Sequence, residues 1–446
     1  MTNRGSVRTW LGAAVAVVLL FGLTLVSIPG TGQAPAPGPG QPLGAVSPAP
    51  EADQTRAAAV SDLLDRRARA MRERDEQAFL ATLDPDADPE FVAAQRRLFA
   101  NLAKVPLAEW SYRLNPDDAL DITDLPEEVT GAAAEVWAPG VDLRYALRGG
   151  DVTPTQRAMG YLFARQGDRW YLHSDNALDR LGRRTWRGPW DFGPCLVTAT
   201  AHGIVLSHPG NEPTVKRLAG ELDSSVRAVG ELWPTRWSER VVLLLPDSPA
   251  EMRALVGARD FPVDAVVAVA VADRVDNASR EVTGQRVVLS PTGMRALSLS
   301  SLRVVLRHEI THLAARADTV DGSPTWLLEG FADYVGYRDS GVTLAEGAPD
   351  LMKRVRDEGP PRSLPEDHAF RSSGPELDLA YQESWSLARF VAEEYGEDTL
   401  VRLYRTLAGV GAVSARATDS LLRQVLGMDR AALVEGWQGY LAESLE

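Results

Sequence analysis

The feature that most constrains this chain is the segment His308-Glu309-Ile310-Thr311-His312, which Glu329 follows 17 residues after its last histidine. Residues four positions apart lie on one face of a helix, so the two histidines can bind the same metal ion. Glu309 then lies beside that ion and is free to exchange a proton. The spacing therefore predicts a metal-bearing helix, in a fold that brings a third ligand to the same place.

A catalytic zinc site uses three protein ligands and leaves a fourth position open. Glu329 is the candidate for the third ligand. We expect it on a second helix that begins with Ser323 as its N-cap and Pro324 as its first helical residue, and that ends near Tyr337. The connection after His312 is short, which predicts that the two helices pack as neighbours.

Each of these side chains also has an ordinary structural interpretation. The two histidines could be satisfied within a helix interface, and Glu329 could pair with Arg303 or Arg307. Asp333 lies one turn after Glu329 on the same face. It could accept the second ring N–H of His308 or His312 and fix the tautomer, or it could face solvent.

The two motifs together resemble those of the gluzincin metallopeptidases, specifically the peptidase MA-like group. The family's Trp-Leu-x-Glu-Gly-x-Ala phrase is present here as Trp326-Leu-Leu-Glu-Gly-Phe-Ala332. The resemblance covers about Val241 to the C-terminus and implies hydrolysis of peptide bonds. It implies Zn²⁺ as the cofactor and Glu309 as the catalytic base, with three zinc ligands: His308, His312 and Glu329.

The resemblance also implies a mechanism. Zinc would lower the pKa of a bound water, and Glu309 would take its proton and later pass it to the leaving amine. The rival interpretation is a non-catalytic, zinc-containing envelope protein that binds a peptide or a small ligand.

Two further features of the reaction have candidates but remain open. Tyr381 is the family-based candidate for a catalytic oxyanion donor, although packing in a helical core explains it equally well; His368 is a weaker candidate in a Pro-, Gly- and Ser-rich loop. Such enzymes often bind substrate along an edge strand, and either Ala265–Ala272 or Gln285–Ser290 could provide one.

The N-terminal sequence predicts that the chain is targeted to a membrane. Trp10 to Ile28 is an uncharged, mostly apolar run of 19 residues, preceded by Arg4 and Arg8. As a helix of about 28 Å it matches the bilayer core, and the positive charges predict that the rest of the chain lies outside the cytoplasm. Residues 1–28 are therefore assigned as a transmembrane signal anchor and residues 29–51, rich in Pro, Gly and Ala, as a linker. The alternative is cleavage near Gly32-Gln33-Ala34 and secretion.

Residues 52–190 predict an α+β domain. Helices at about Ala52–Thr82 and Phe91–Leu102 precede short strands separated by Gly, Pro and Asp, one of them spanning Gln156–Arg165. The basic run Arg66–Asp75 is expected to be the solvated face of the first helix. The element order, with phrases such as Gly167–His173, resembles the NTF2-like (SnoaL-like) cone of helices and a curved antiparallel sheet.

Residues 195–446 predict a second, gluzincin-type α+β domain with a small mixed sheet followed by a helical subdomain. The turn-rich segment Trp186–Pro194 marks the boundary. The strands at Ala265–Ala272 and Gln285–Ser290 are expected to be joined by a polar loop. The metal-bearing helix is expected at about Leu299–Arg316.

Composition limits the remaining choices. Cys195 is the single cysteine, so an intramolecular disulfide and a multi-thiolate zinc site are both excluded. The formal net charge of −14 argues against a nucleic-acid partner. The expected partners are a peptide or protein substrate and, through the N-terminal helix, a membrane; the oligomeric state stays open.

Overall fold

The computed structural model describes residues 51–123, 125, 135–234, 237–258, 261–263 and 266–445. The chain divides into two compact units at Val197/Thr198, called the first and the second unit in chain order. The predicted anchor at residues 1–28 and nearly all of the predicted linker at residues 29–51 lie outside the described residues. Within the described ranges, no helix combines the length and the apolar character needed to cross a bilayer.

The described residues of the first unit form three α-helices followed by two antiparallel sheets. The strand orders are β1-β3-β4 and β2-β5-β6. This confirms the predicted α+β class for the region. The elements are α1 (Glu51–Glu73), α2 (Glu76–Leu80), α3 (Pro89–Asn101), β1 (Leu107–Asn115), β2 (Glu135–Trp137), β3 (Gly140–Leu147), β4 (Thr155–Met159), β5 (Leu162–Gln166) and β6 (Arg169–Ser174).

Two predicted elements of this unit are each divided in two. The helix expected at Ala52–Thr82 breaks after Glu73, because Asp75 caps α2 by accepting a hydrogen bond from the N–H of Ala78. The strand expected at Gln156–Arg165 breaks at Gly160. A Cβ on that glycine would lie 2.5 Å from the carbonyl oxygen of Arg183, so only glycine permits this close approach.

The expectation of a fully solvated basic face on α1 is wrong for Arg67. This side chain is 1% exposed, donates to Thr82 Oγ1 at 3.0 Å and also bonds Gln95. Its guanidinium lies over the ring of Phe79. A run of arginines does not reveal which member turns inward, because that depends on acceptors contributed by distant elements.

The second unit begins with a five-stranded mixed sheet in the order β10-β13-β9-β8-β7. Strands β8 and β9 are parallel, as are β9 and β13, whereas β10 is antiparallel to β13 and lies at an edge. Helix α4 connects the parallel pair β8 and β9. The elements are β7 (Leu196–Ala199), β8 (Gly203–Ser207), α4 (Glu212–Leu232), β9 (Val241–Leu245), α5 (Pro249–Val256), β10 (Ala268–Val271), β11 (Arg274–Asp276), β12 (Glu281–Thr283) and β13 (Arg286–Leu289).

The polar loop expected between β10 and β13 is instead a β-hairpin. Strands β11 and β12 pair antiparallel, with Val275 opposite Val282. Each strand has three residues and is partly exposed, which is too short for the apolar alternation that reveals a strand in a sequence.

The rest of the second unit is helical, as expected. The apolar side chains of these helices and of the sheet form one continuous core. The elements are α6 (Pro291–Ala296), α7 (Leu299–Ala315), α8 (Thr325–Tyr337), α9 (Leu344–Gly347), α10 (Pro349–Glu358), α11 (Pro375–Tyr395), α12 (Glu397–Ala408), α13 (Ala415–Leu426) and α14 (Arg430–Glu443).

Candidate metal centre

Helices α7 and α8 carry the two sequence motifs and pack against each other. Ser298 caps α7 by accepting a hydrogen bond from the N–H of Ser301. The predicted N-cap of α8 is wrong: Pro324 occupies that position without a side-chain cap. The Ser323 side chain does not cap the helix. The backbone N–H of Thr325, which has no partner within the helix, donates a hydrogen bond to Asp367 Oδ1 at 2.9 Å. A cap from a distant loop could not be predicted from local sequence.

The structure brings three potential ligand atoms together. His308 Nε2 lies 3.0 Å from His312 Nε2 and 3.3 Å from Glu329 Oε2. His312 Nε2 lies 3.6 Å from the same carboxylate oxygen. The side chains are buried, with Glu329 0% exposed, and in the described part of the chain they form the one such cluster of histidine, cysteine and acidic groups.

These residues fit a zinc ion. Tetrahedral zinc with bonds of 2.0–2.1 Å separates neighbouring ligand atoms by about 3.4 Å, which is close to the observed spacing. Among the described residues, neither carboxylate oxygen of Glu329 has a hydrogen-bond donor, although both are buried. A buried carboxylate without a donor is costly unless a cation compensates it.

The environment of the cluster decides between the alternatives for the neighbouring residues. Asp333 Oδ1 lies 2.8 Å from His308 Nδ1 and is buried, so it does not face solvent. Arg303 pairs with Glu221 at 2.8 Å. Arg307 donates to the carbonyl oxygen of Arg338, and neither arginine pairs with Glu329. Glu329 is therefore directed to the histidines.

Burial and mutual charge shift the acid–base properties of the cluster. Burial alone would lower the pKa of His308, but the Asp333 and Glu329 carboxylates outweigh it and raise that pKa well above its usual range. Burial opposes ionisation of Glu329, yet the neighbouring imidazoles lower its pKa to about 2. For Glu309 burial dominates and raises the pKa, despite the two histidines. Glu309 therefore holds a proton more readily than Glu329 does.

Glu309 also contacts the sheet, through strand β10. Helix α7 packs against this strand, and the backbone N–H of Ala270 favours the ionised form of Glu309, which partly opposes the rise in its pKa. Of the two segments considered as substrate-binding strands, β10 is at the edge and β13 lies between β10 and β9. Sequence reasoning missed Ala270 because a backbone group leaves no signal in residue type.

The two remaining candidates have different surroundings. Tyr381 is 5% exposed on α11, and its ring centroid lies 5.4 Å from that of Phe370. Its packing is thus established, while its role as an oxyanion donor stays a prediction. The His368 side chain is 69% exposed and lies 3.2 Å from Glu366, so it is not part of the buried cluster.

The interior of the first unit has a different character. Gln95 bonds Asp175 at 2.9 Å, and Arg187 donates to the same carboxylate at 2.8 Å. The rings of Trp186 and Trp190 pack against each other and against Tyr145. Gln95, Asp175, Arg187 and the two tryptophans line a small cavity of this unit, and Trp186 Nε1 has no hydrogen-bond partner among the described residues.

Comparison with known proteins agrees with the site. The family description "Peptidase MA superfamily" matches residues 288–443, which include α7, α8 and the helices that follow. No curated protein matches the chain. The similarity covers the candidate centre and leaves the first unit outside it.

Solved structures of zinc peptidases are also similar to part of the chain. A two-domain M1 zinc metallopeptidase bound to L-tryptophan is 15% identical, with a TM-score of 0.33 over 53% of this chain and 48% of that one. An M1 zinc metallopeptidase from Deinococcus radiodurans is 17% identical, with a TM-score of 0.32 over the same shares. This chain thus spans about half the length of these structures, and such TM-scores do not establish a common fold.

Proposed function

We propose that this protein is a zinc metallopeptidase of the gluzincin type that hydrolyses peptide bonds. The observation that supports it most is the set of three buried ligand atoms from His308, His312 and Glu329, within 4.8 Å of one another and next in sequence to the buried carboxyl group of Glu309. Among the described residues, no fourth histidine, cysteine or carboxylate completes that set. A vacant position is what a catalytic centre requires and what a structural zinc site lacks.

Zinc, when bound by His308, His312 and Glu329, supplies a Lewis acid for a peptide carbonyl and lowers the pKa of water. Glu309 accepts the proton of the attacking water and delivers it to the leaving amine. Its burial beside the cluster raises its pKa, which suits a group that must both take and release a proton. Asp333 holds the His308 ring in one tautomer. Tyr381 is the proposed donor to the oxyanion.

The substrate is proposed to be a peptide or protein segment in extended conformation. Among the described strands, β10 pairs only with β13, so its other edge can form backbone hydrogen bonds with such a segment. The effect of the Ala270 backbone on the pKa of Glu309 supports the choice of this strand.

The test is Glu309→Gln, which keeps the size of the side chain and removes the base. The zinc content of the purified variant should equal that of the wild type. Cleavage of a peptide library should fall by about 100-fold or more. Glu358→Gln is the matched control, since this side chain is 73% exposed on α10. Unchanged turnover in Glu309→Gln would overturn the mechanism.

We also propose that residues 1–28 anchor the chain in the cell membrane by a single span, with both units extracytoplasmic. The apolar run and its preceding arginines support this. Carbonate extraction of membranes, together with N-terminal sequencing of the mature protein, tests it. A soluble chain that begins after Ala34 would favour secretion instead.

The first unit is proposed to be an NTF2-like cone. Its helices, followed by two three-stranded antiparallel sheets, support this. An experimental structure of the unit, superposed on members of that fold class, tests the assignment, and a different strand order would overturn it.

A further inference from the structure

The connection between the two metal-bearing helices, residues 316–324, is held by the end of α12. The carbonyl oxygen of Ala408 accepts a hydrogen bond from the N–H of Val320 and one from Ser323 Oγ, each at 2.8 Å. The last carbonyls of a helix have no intrahelical donor, so the C-terminus of α12 supplies acceptors to this connection. Arg405 adds a contact to the largely buried Asp318, with Nε and Oδ2 3.8 Å apart.

Tyr404, in the same turn of α12, contacts the elements on both sides of the connection. Its hydroxyl lies 3.0 Å from Thr319 Oγ1, which itself donates to the carbonyl oxygen of Ala315 at 2.9 Å. A threonine hydroxyl has one proton, so the proton between the two hydroxyls is donated by Tyr404. Ala315 is three residues beyond His312 on α7.

The ring of Tyr404 reaches the other helix. Its centroid lies 4.9 Å from that of Phe331, which is two residues beyond Glu329 on α8. Tyr404 is 2% exposed. Burial raises its pKa well above the usual range, and the negative charge of Glu329 adds to that shift.

We propose that the last turn of α12, Tyr404–Ala408, is a clamp that fixes the separation of α7 and α8, with Tyr404 as its positioning residue. This inference rests on the proposed function, because the separation matters through the distance between the paired histidines and Glu329. The clamp keeps the three ligands assembled before a metal arrives. Preassembled ligands lose less conformational freedom on binding, so the clamp raises the affinity for zinc.

The test compares Tyr404→Phe, Thr319→Val and the double variant in the full chain. Zinc affinity is measured by competition with a chromophoric chelator, and hydrogen–deuterium exchange is measured on the metal-free protein. Loss of the hydrogen bond between the two hydroxyls should weaken zinc binding about twofold to tenfold in Tyr404→Phe, and at least as much in Thr319→Val, which also loses the bond to Ala315. The double variant should bind zinc no more weakly than Thr319→Val, because that variant already removes the hydrogen bond to Tyr404 together with the one to Ala315. Exchange should rise in residues 316–324.

Tyr440→Phe is the matched control, since it removes another phenol hydroxyl of the second unit, one that bonds Glu393 at 2.8 Å on the exposed surface. It should leave zinc affinity and exchange in residues 316–324 unchanged. Faster exchange with wild-type zinc affinity, or no change in either measurement, would overturn the positioning role. A wild-type chain that binds no zinc would instead overturn the proposed function, and the exchange data would still show whether the clamp orders the connection.

Discussion

At the scale of single residues, the candidate centre is a set of buried ionisable groups whose partners are specific. Glu329 has the imidazoles of His308 and His312 within 3.3 and 3.6 Å, and His308 has Asp333 within 2.8 Å. Burial of such charges is costly unless each has a partner. The cluster is therefore sensitive to the removal of any one group, including those that do not bind metal.

Asp333→Asn should weaken zinc binding by about tenfold, because a neutral amide replaces the carboxylate that orients His308 and increases its basicity. Chelator competition on the purified protein measures this. Asp339→Asn is the control, since Asp339 is 77% exposed and its replacement removes an equal charge. Equal affinities for both variants would show that Asp333 does not orient the ligand.

The buried carboxyl group of Glu383 leads us to expect that the free energy of unfolding depends on pH. Burial raises its pKa to about 7 from 4.5, although Arg354 lies 3.2 Å away and opposes the shift. A raised carboxyl pKa favours the neutral form in the folded state. Stability contributed by that form is therefore complete below about pH 4.5 and is lost as pH rises through about 7.

Glu383→Gln removes this dependence. The variant should gain stability relative to the wild type as pH rises from 4.5 to 7, by at most about 3 kcal/mol. Urea unfolding at several pH values measures the difference. A constant difference across that range would contradict the proposed ionisation of Glu383.

At the scale of elements, the site depends on how closely two pairs of helices approach. Helix α8 packs against α7 on one side and against α11 on the other. Gly330, next to Glu329, permits the second approach: a Cβ at this position would lie 2.3 Å from the carbonyl oxygen of Ser384. The glycine thus allows α8 to approach α11 closely, and this approach sets the position of the neighbouring Glu329.

Gly330→Ala should destabilise the protein by about 1–3 kcal/mol, because α8 and α11 must move apart. Zinc affinity should fall with it, since the displaced helix carries Glu329. Gly220→Ala on α4 is the matched control: a Cβ there meets nothing within 4 Å, so the helix should gain up to about 1 kcal/mol. Thermal unfolding and chelator competition report the two effects. Loss of stability in both variants would show that the close approach is not the cause.

At the scale of the whole molecule, the chain consists of two compact units, each with its own sheets and its own buried polar groups. The second unit contains the metal cluster and the continuous core of sheet and helices. The first has its own sheets and its own buried polar pairs, such as Asp175 with Arg187. A ligand that binds one unit stabilises that unit by mass action.

Added zinc should therefore slow hydrogen exchange in α7 and α8 and leave residues 51–197 unchanged. The physical reason is that opening of these helices releases the metal, whereas opening of the first unit does not. Hydrogen–deuterium exchange with and without a chelator measures this. Equal protection of both units by zinc would indicate a second metal site or coupling between the units.

The sequence alone determined the metal-bearing helix, the likeness of its motifs to the gluzincins and the α+β class. It could do so because each depends on local spacing: four residues make about one helical turn, and alternating apolar runs make strands. Helix α7 was expected at Leu299–Arg316 and spans Leu299–Ala315.

Only the tertiary structure decided which residues meet across distance. In the folded chain Asp333 contacts His308, Arg303 pairs with Glu221, and β10 lies at the sheet edge. The first N–H of α8 bonds to Asp367 instead of to Ser323. The buried Arg67 and the clamp at Tyr404 belong to the same group. Each depends on a partner more than ten residues away, and such pairings are selected by burial and hydrogen-bond geometry in the folded chain, which local residue patterns do not encode.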